Sequence, residues 1–371
     1  MENIERYLQS TPEILIFYVA ILVYILILLS TCAYYQCKIG NCGTRRKRGD
    51  FDFKNLRVQV LTLNCEGNAP PTNLDDFFYD PFNSDIICVM LQEMVPLKKA
   101  DTIKRSFIID DKTALNKWDV AMKNFLVYDK SGFRLIARRS EVGNAVLVYA
   151  NHKTSKHISS IQTRSIKLGY AKNTLGNKSS TAASFYLGND ILCFSSAHLN
   201  SHRFKNDKRY KDIQRMFKKI KFNFNGKTMT IDKMNTFCGG DYNFRTPVKE
   251  HINDEQYPKL SELKEQCQAN DFSLAVSLDK NYNQITETMQ GNFVEADIKF
   301  PPTFHLDFSD PREYVDIVKK GKHLTPSYTD RIFTNLTSEG IKVYTSPSLR
   351  YSDHNPVIFV YQFPDEKPKR N

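Results

Sequence analysis

Three absences narrow what this chain can be. Its eight cysteines (Cys32, Cys37, Cys42, Cys65, Cys88, Cys193, Cys238 and Cys267) contain no C-x-x-C pair and no dense framework. That argues against a disulfide-stapled secreted scaffold and for a reducing compartment, with the cysteines of the strand-like runs acting as small buried hydrophobes. No thiolates or paired imidazoles stand at zinc spacing, which sets zinc aside. No internal repeat, low-complexity tract or linker interrupts residues 51–371, so that stretch is expected to fold as one domain. The third absence is of charge, between Ile14 and Tyr35.

That uncharged run, ILIFYVAILVYILILLSTCAYY, is long enough to cross the ~30 Å hydrocarbon core at ~1.5 Å per residue. A cleavable signal peptide is the alternative, but its apolar core is about 7–15 residues long and follows basic residues. Here the run is longer and is preceded by Glu2, Glu5 and Glu13. Residues 1–50 are therefore expected to form a transmembrane anchor with a basic juxtamembrane segment. Lys38, Arg45, Arg46, Lys47 and Arg48 follow the span, which predicts a cytoplasmic domain of residues 51–371 on a single-pass membrane protein. Each such cation held near an anionic leaflet is worth roughly 1 kcal/mol. Cys37 and Cys42 are candidates for palmitoylation.

What remains is ordinary in bulk and informative in order. The 371 residues are 41% hydrophobic and 25% charged, enough for a sizeable core. The net charge of +11 suits anionic partners of several kinds: nucleic acid, acidic membrane or polyphosphate. Strand-like runs occur at 56–64, 85–93, 143–150, 181–188, 190–199, 235–243, 328–335, 341–346 and 355–363. Residues 203–222 read as a helix through Ile213, Phe217 and Ile220, and short helices are expected in a loop-rich region from about 246 to 325. The pattern predicts an α/β fold of two packed sheets flanked by helices.

Several apolar runs end in reactive side chains: Asn64, Glu93, His198, Asp241 with Asn243, and Asp353 with His354. Strands that deliver such groups to one end describe a site on a rigid sheet. Asn64 and Glu93 supply the hard oxygen ligands that Mg2+ takes while leaving positions for water and phosphate. Asp241 has the chemistry to orient and deprotonate a water, with Asn243 holding that water or a phosphate. His198 and His354 suit non-bridging phosphate oxygens, given a carboxylate partner, for which Asp330 is the candidate. Arg331, Arg245 and Lys178 add charge for an anionic substrate.

In order along the chain, LNCEGNAPP, LQE, GNKS, SAHLNSH, GGDYNFR, PPTF, PSYTDR and SDHNPV resemble the motifs of the inositol polyphosphate 5-phosphatases, a branch of the endonuclease/exonuclease/phosphatase superfamily, over about residues 56–360. LQE, GDxN and SDHxP belong to the whole superfamily; GNK (176–178) and PxxxDR (326–331) are particular to the branch. The resemblance implies a four-layer α/β sandwich and Mg2+-dependent phosphoester hydrolysis. It implies metal positions at Asn64 and Glu93 and a phosphate contact at His198. Asp241 and Asn243 match the water-orienting pair, and Asp330 the carboxylate behind His354, which Asp353 precedes. Asn177, Lys178, Lys322 and Arg331 fall where the family surrounds its substrate, and Arg245 lies within GGDYNFR. The sequence departs from the pattern at Leu63, Ser179, Tyr328-Thr329, His305-Leu306, Leu324 and Asn355. Those at His305-Leu306 and Leu324 fall on the residues with which the family grips the neighbouring 4-phosphate. The expected activity is that of a membrane-anchored 5-phosphatase acting on phosphoinositide lipids or soluble inositol polyphosphates, with no nucleic-acid partner. A neutral sphingomyelinase, a DNase-like nuclease or a non-catalytic phosphoinositide binder are the alternatives.

Overall fold

In a strand, side chains alternate between faces, and here both faces are apolar. Along β1 (Arg57–Asn64), Val58 and Val60 enter one core while Leu61 and Leu63 enter another. The same split divides β2 (Ile86–Gln92) and β4 (Asn144–Ala150). This explains why these strands read as unbroken apolar runs: a sheet covered on both sides has no solvent face.

The computed structural model describes residues 51–95, 112–126, 132–168, 178–202, 205–279, 281–290, 293–307, 314 and 324–364. The uncharged run 14–35, the basic segment after it, Asn177 and Lys322 lie outside these residues. Among the described residues no helix is long and apolar enough to cross a membrane.

The first sheet has the order β12-β13-β1-β2-β4-β3, with β3 at Arg134–Glu141, β12 at Ile341–Thr345 and β13 at Val357–Gln362. The second runs β11-β10-β7-β6-β5: Asp330–Thr334, Asn235–Asp241, Asp190–His198, Ser179–Leu187 and Ile158–Lys167. A two-stranded ribbon, β8 (Lys221–Phe224) with β9 (Lys227–Thr230), forms a third small sheet that packs Phe222 and Phe224 into the core beneath α2. Val148 and Met90 of the first sheet share one core with Phe185, Phe194, Phe237 and Ile332 of the second. Helix α1 (Lys112–Leu126) covers the outer face of the first sheet with Trp118 and Met122. Helix α2 (Asn206–Lys219) covers the second with Ile213, Met216 and Phe217. Helix, sheet, sheet and helix make the α/β sandwich expected of the chain.

Within each sheet one central pair is parallel, β1 with β2 and β7 with β10. Parallel strands end on the same side, so their C-terminal residues converge. Asn64 pairs with Gln92, and Asp241 lies between His198 of β7 and Asp330 of β11. Gly240, at φ +141°, permits this closeness: a Cβ there would sit 2.0 Å from the carbonyl oxygen of Ala197.

Candidate active site

Asp241 is the hub. Its Oδ1 accepts the backbone N–H of Asn243 at 2.9 Å and its Oδ2 accepts Asn64 Nδ2 at 3.1 Å. His198 Nε2 lies 3.5 Å from Asp241 Oδ2 and 3.4 Å from Glu93 Oε1. Lys178, also buried, donates to His198 Nε2 and lies 3.9 Å from Glu93 Oε1. The structure therefore brings Asn64, Glu93, Lys178, His198, Asp241 and Asn243 together from both sheets. An Nε2 that accepts from lysine leaves the ring proton on Nδ1, which has no protein partner among the described residues.

Burial and this crowding set the charges. Burial, then Lys178, hold His198 well below the usual imidazole value, so its ring is neutral. Burial likewise lowers Lys178, against the pull of Glu93 and Asp241, and raises Glu93, against Lys178. Burial pushes Asp241 up too, but the cations His354, Lys178 and Arg245 outweigh it and hold the carboxyl below its usual range. The ionised group facing a prospective water is thus Asp241.

A second arm is the dyad of His354 and Asp330. His354 Nδ1 donates to Asp330 Oδ2 at 2.8 Å, and the same oxygen accepts Thr303 Oγ1 at 2.7 Å and Thr329 Oγ1 at 2.8 Å. Burial disfavours the imidazolium, yet Asp330 and then Asp353 overcome it and push His354 up to about 10. The two histidines thus differ: His354 is a cation with a dedicated carboxylate, and His198 is neutral. Asp353 Oδ1 lies 3.8 Å from His354 Nε2, and its Oδ2 lies 3.3 Å from His305 Nε2. Arg245 stacks 3.8 Å above the Phe304 ring and donates to Asn243 Oδ1 at 2.7 Å. Asn243 takes a left-handed backbone, φ +58°, and donates Nδ2 to the Leu199 carbonyl at 3.1 Å.

Arg331 requires a correction. Neighbouring residues of a strand face opposite ways, so Asp330 enters the site and Arg331 leaves it. The guanidinium is buried, bonded to Asp279 Oδ2 at 2.7 Å and to Glu295 through Nε at 3.1 Å and Nη2. It is not placed to meet a substrate. Asn335, in the sequence N-L-T, is also interior, its side chain spent on Thr236 and Met234.

Sequence reasoning missed Thr303 and Thr329, although both lie inside quoted motifs, PPTF and PSYTDR. It missed Glu66, whose Oε2 accepts the Asp353 N–H at 3.2 Å, and the stacking role of Phe304. It also missed the layer below, where Gln92 Nε2 donates to Ser196 Oγ at 3.2 Å and Ser196 to Asn144 Oδ1 at 2.6 Å.

The donors fit a hard divalent cation. Asn64 and Glu93 offer a carboxamide and a carboxylate, and among the described residues no three His, Cys, Asp or Glu are grouped to hold an ion by themselves. A site of that kind leaves most positions to water and substrate phosphate, as Mg2+ prefers.

Fold and site together describe an α/β sandwich with a polar, charge-tuned centre at the ends of its parallel strands. The chain belongs to the endonuclease/exonuclease/phosphatase family 2, whose model matches residues 61–360. It is 25% identical over 350 residues to the type I inositol polyphosphate 5-phosphatase 8 of Arabidopsis thaliana, covering 82% of this chain and 70% of that one. It spans about half or less of other such relatives, 47% of the Arabidopsis phosphatase 5 for instance. Among solved structures, the inositol polyphosphate 5-phosphatase domain of SPsynaptojanin, in complex with inositol (1,4)-bisphosphate and calcium ion, superposes with a TM-score of 0.67 at 24% identity, over 83% of this chain and 84% of that one. A Cimex nitrophorin, a ferrous NO complex, reaches 0.55 at 16% identity over 83% and 98%. A shared sandwich therefore leaves the chemistry to the site.

Proposed function

We propose that the chain is a phosphoric monoester hydrolase that removes the 5-phosphate of inositol polyphosphates or phosphoinositides. The observation that carries this reading is the pairing of an ionised Asp241, within reach of Asn64 and Asn243, with a cationic His354 fixed by Asp330. Asp241 accepts the proton of the attacking water. The imidazolium of His354 hydrogen-bonds the phosphoryl oxygen on which charge builds, an interaction stronger in the transition state than before it. Lys178 and Arg245 balance the substrate's anionic charge. Mg2+, with Glu93 and Asn64 as its protein ligands, would supply Lewis-acid polarisation of the phosphoryl group.

The likeness of the motifs to the 5-phosphatases supports the substrate class, and the A. thaliana relative carries that name. We further propose that residues 14–35 anchor the chain in a membrane with residues 51–371 on the cytoplasmic side. The uncharged run and the Arg45–Arg48 cluster support this. A tethered enzyme meets a lipid substrate at a raised effective concentration.

The test is phosphate release by the full chain with Mg2+, using Asp241→Ala as the blank. The substrates are vesicles of PtdIns(4,5)P2, PtdIns(3,4,5)P3 or PtdIns(3,5)P2 and, separately, soluble Ins(1,4,5)P3. Release that vanishes in the variant and on chelation is the expected result; no release from any of them sinks the reading. Resistance of the chain to carbonate extraction checks the anchor. Because Asn335 is interior, glycosylation there is no reporter of topology.

A further inference from the structure

Arg209 lies on α2, with its side chain wholly buried. A guanidinium out of water needs its donors satisfied, and two of its three nitrogens donate to the loop that follows β7. Nε donates to the Asn200 carbonyl at 2.9 Å, Nη2 to the His202 carbonyl at 2.7 Å, and Nη1 to Asn206 Oδ1. The cation also lies 5.3 Å from the centre of the Phe244 ring. Arg209 thereby ties the loop after His198 to the segment after Asp241.

That loop sets the geometry of the centre. Leu199 donates its N–H to the Asp241 carbonyl at 3.0 Å, and its own carbonyl receives Asn243 Nδ2 at 3.1 Å. The Asn243 carboxamide is oriented at one end by Leu199 and at the other by Arg245 Nη2. We propose that Arg209 is a positioning residue. By clamping the carbonyls of Asn200 and His202, it fixes the neighbouring Leu199 carbonyl and so the direction in which Asn243 presents its amide to the reacting phosphate or water. A lysine keeps the charge and loses the fork that spans two carbonyls.

The kinetic half of this inference rests on the phosphatase reading; the structural half does not. In the full chain, Arg209→Lys and Arg209→Ala are expected to lower kcat on the order of tenfold to a hundredfold with KM nearly unchanged, the signature of misplacement rather than lost binding. Free guanidinium at non-denaturing concentration restores part of the Ala variant's rate and none of the Lys variant's. Independently, the side-chain amide resonance of Asn243, assigned by its disappearance in Asn243→Asp, moves in both variants and exchanges faster. If that resonance stays in place, or if kcat of the folded fraction is unchanged, the positioning role is overturned. Should the unaltered chain release no phosphate, the phosphatase reading fails while the amide resonance still decides about Arg209. If Arg209→Ala does not fold, Arg209→Lys carries both measurements.

Discussion

At the scale of single residues, adjacent charges on β11 serve opposite purposes. Asp330 raises the affinity of His354 for its proton, whereas Arg331 neutralises two buried carboxylates on the other face. His354 titrates about 10, above the ordinary imidazole value, so the stability it contributes is fully present below about pH 6.5 and is lost as pH rises through about 10. The basic limb of a kcat profile is expected in the same region. Asp330→Asn removes the carboxylate and should move that limb to lower pH by about 1–3 units; an unmoved limb would assign it to another group. Arg331→Met leaves Glu295 and Asp279 buried without their cation, and removing one partner of such a pair costs about 3–5 kcal/mol. Chemical denaturation should show that loss.

At the scale of elements, strand ends do the positioning and strand interiors make it possible. The Gly240→Ala substitution sets a methyl against Ala197 and must push β10 from β7. Overpacking of this kind costs about 1–3 kcal/mol, and because Asp241 and His198 are paired across that contact, activity should fall with the melting temperature. Trp118→Ala on α1 empties the core on the outer face of the first sheet, the face turned away from the second sheet and Asp241. It should cost about 3–5 kcal/mol with the kcat of the folded fraction preserved. Sequence patterning located most central strands within two residues because those strands are apolar on both faces. It passed over β3 and β5, which carry Arg134, Arg138, Arg139, Arg164 and Lys167, because edge strands are solvated and charged. Helix α1 was legible at Leu115, Trp118 and Met122 yet went unread. The spacing over residues 203–222 predicts one helix, whereas α2 stops at Lys219 and the chain turns into β8.

At the scale of the whole molecule, the site is a seam between two sheets. Thr62, Gln92, Ser196 and Asn144 form a buried hydrogen-bonded chain that crosses the sandwich beneath it, and Asn144 Nδ2 bonds the carbonyls of Ser179 and Ser196 at 3.0 and 3.2 Å. A cation bound at Glu93 and Asn64 favours the folded state in proportion to its occupancy, by about 2.7 kcal/mol at a hundred times its dissociation constant. Mg2+ should therefore raise the thermal midpoint of the unaltered chain and leave that of Glu93→Gln nearly unchanged; equal shifts would place the ion elsewhere.

Alternation, apolar runs and the residue types at strand ends are local properties, so they suffice to identify the sandwich class and most of the residues that meet at its centre. The partners were another matter. Arg331 finds Asp279 and Glu295, and His354 finds Thr303-supported Asp330, only when distant segments fold together. Which histidine is charged and which arginine is structural depends on burial and on neighbours brought in by that folding. Charge state follows environment, and environment is made by tertiary structure.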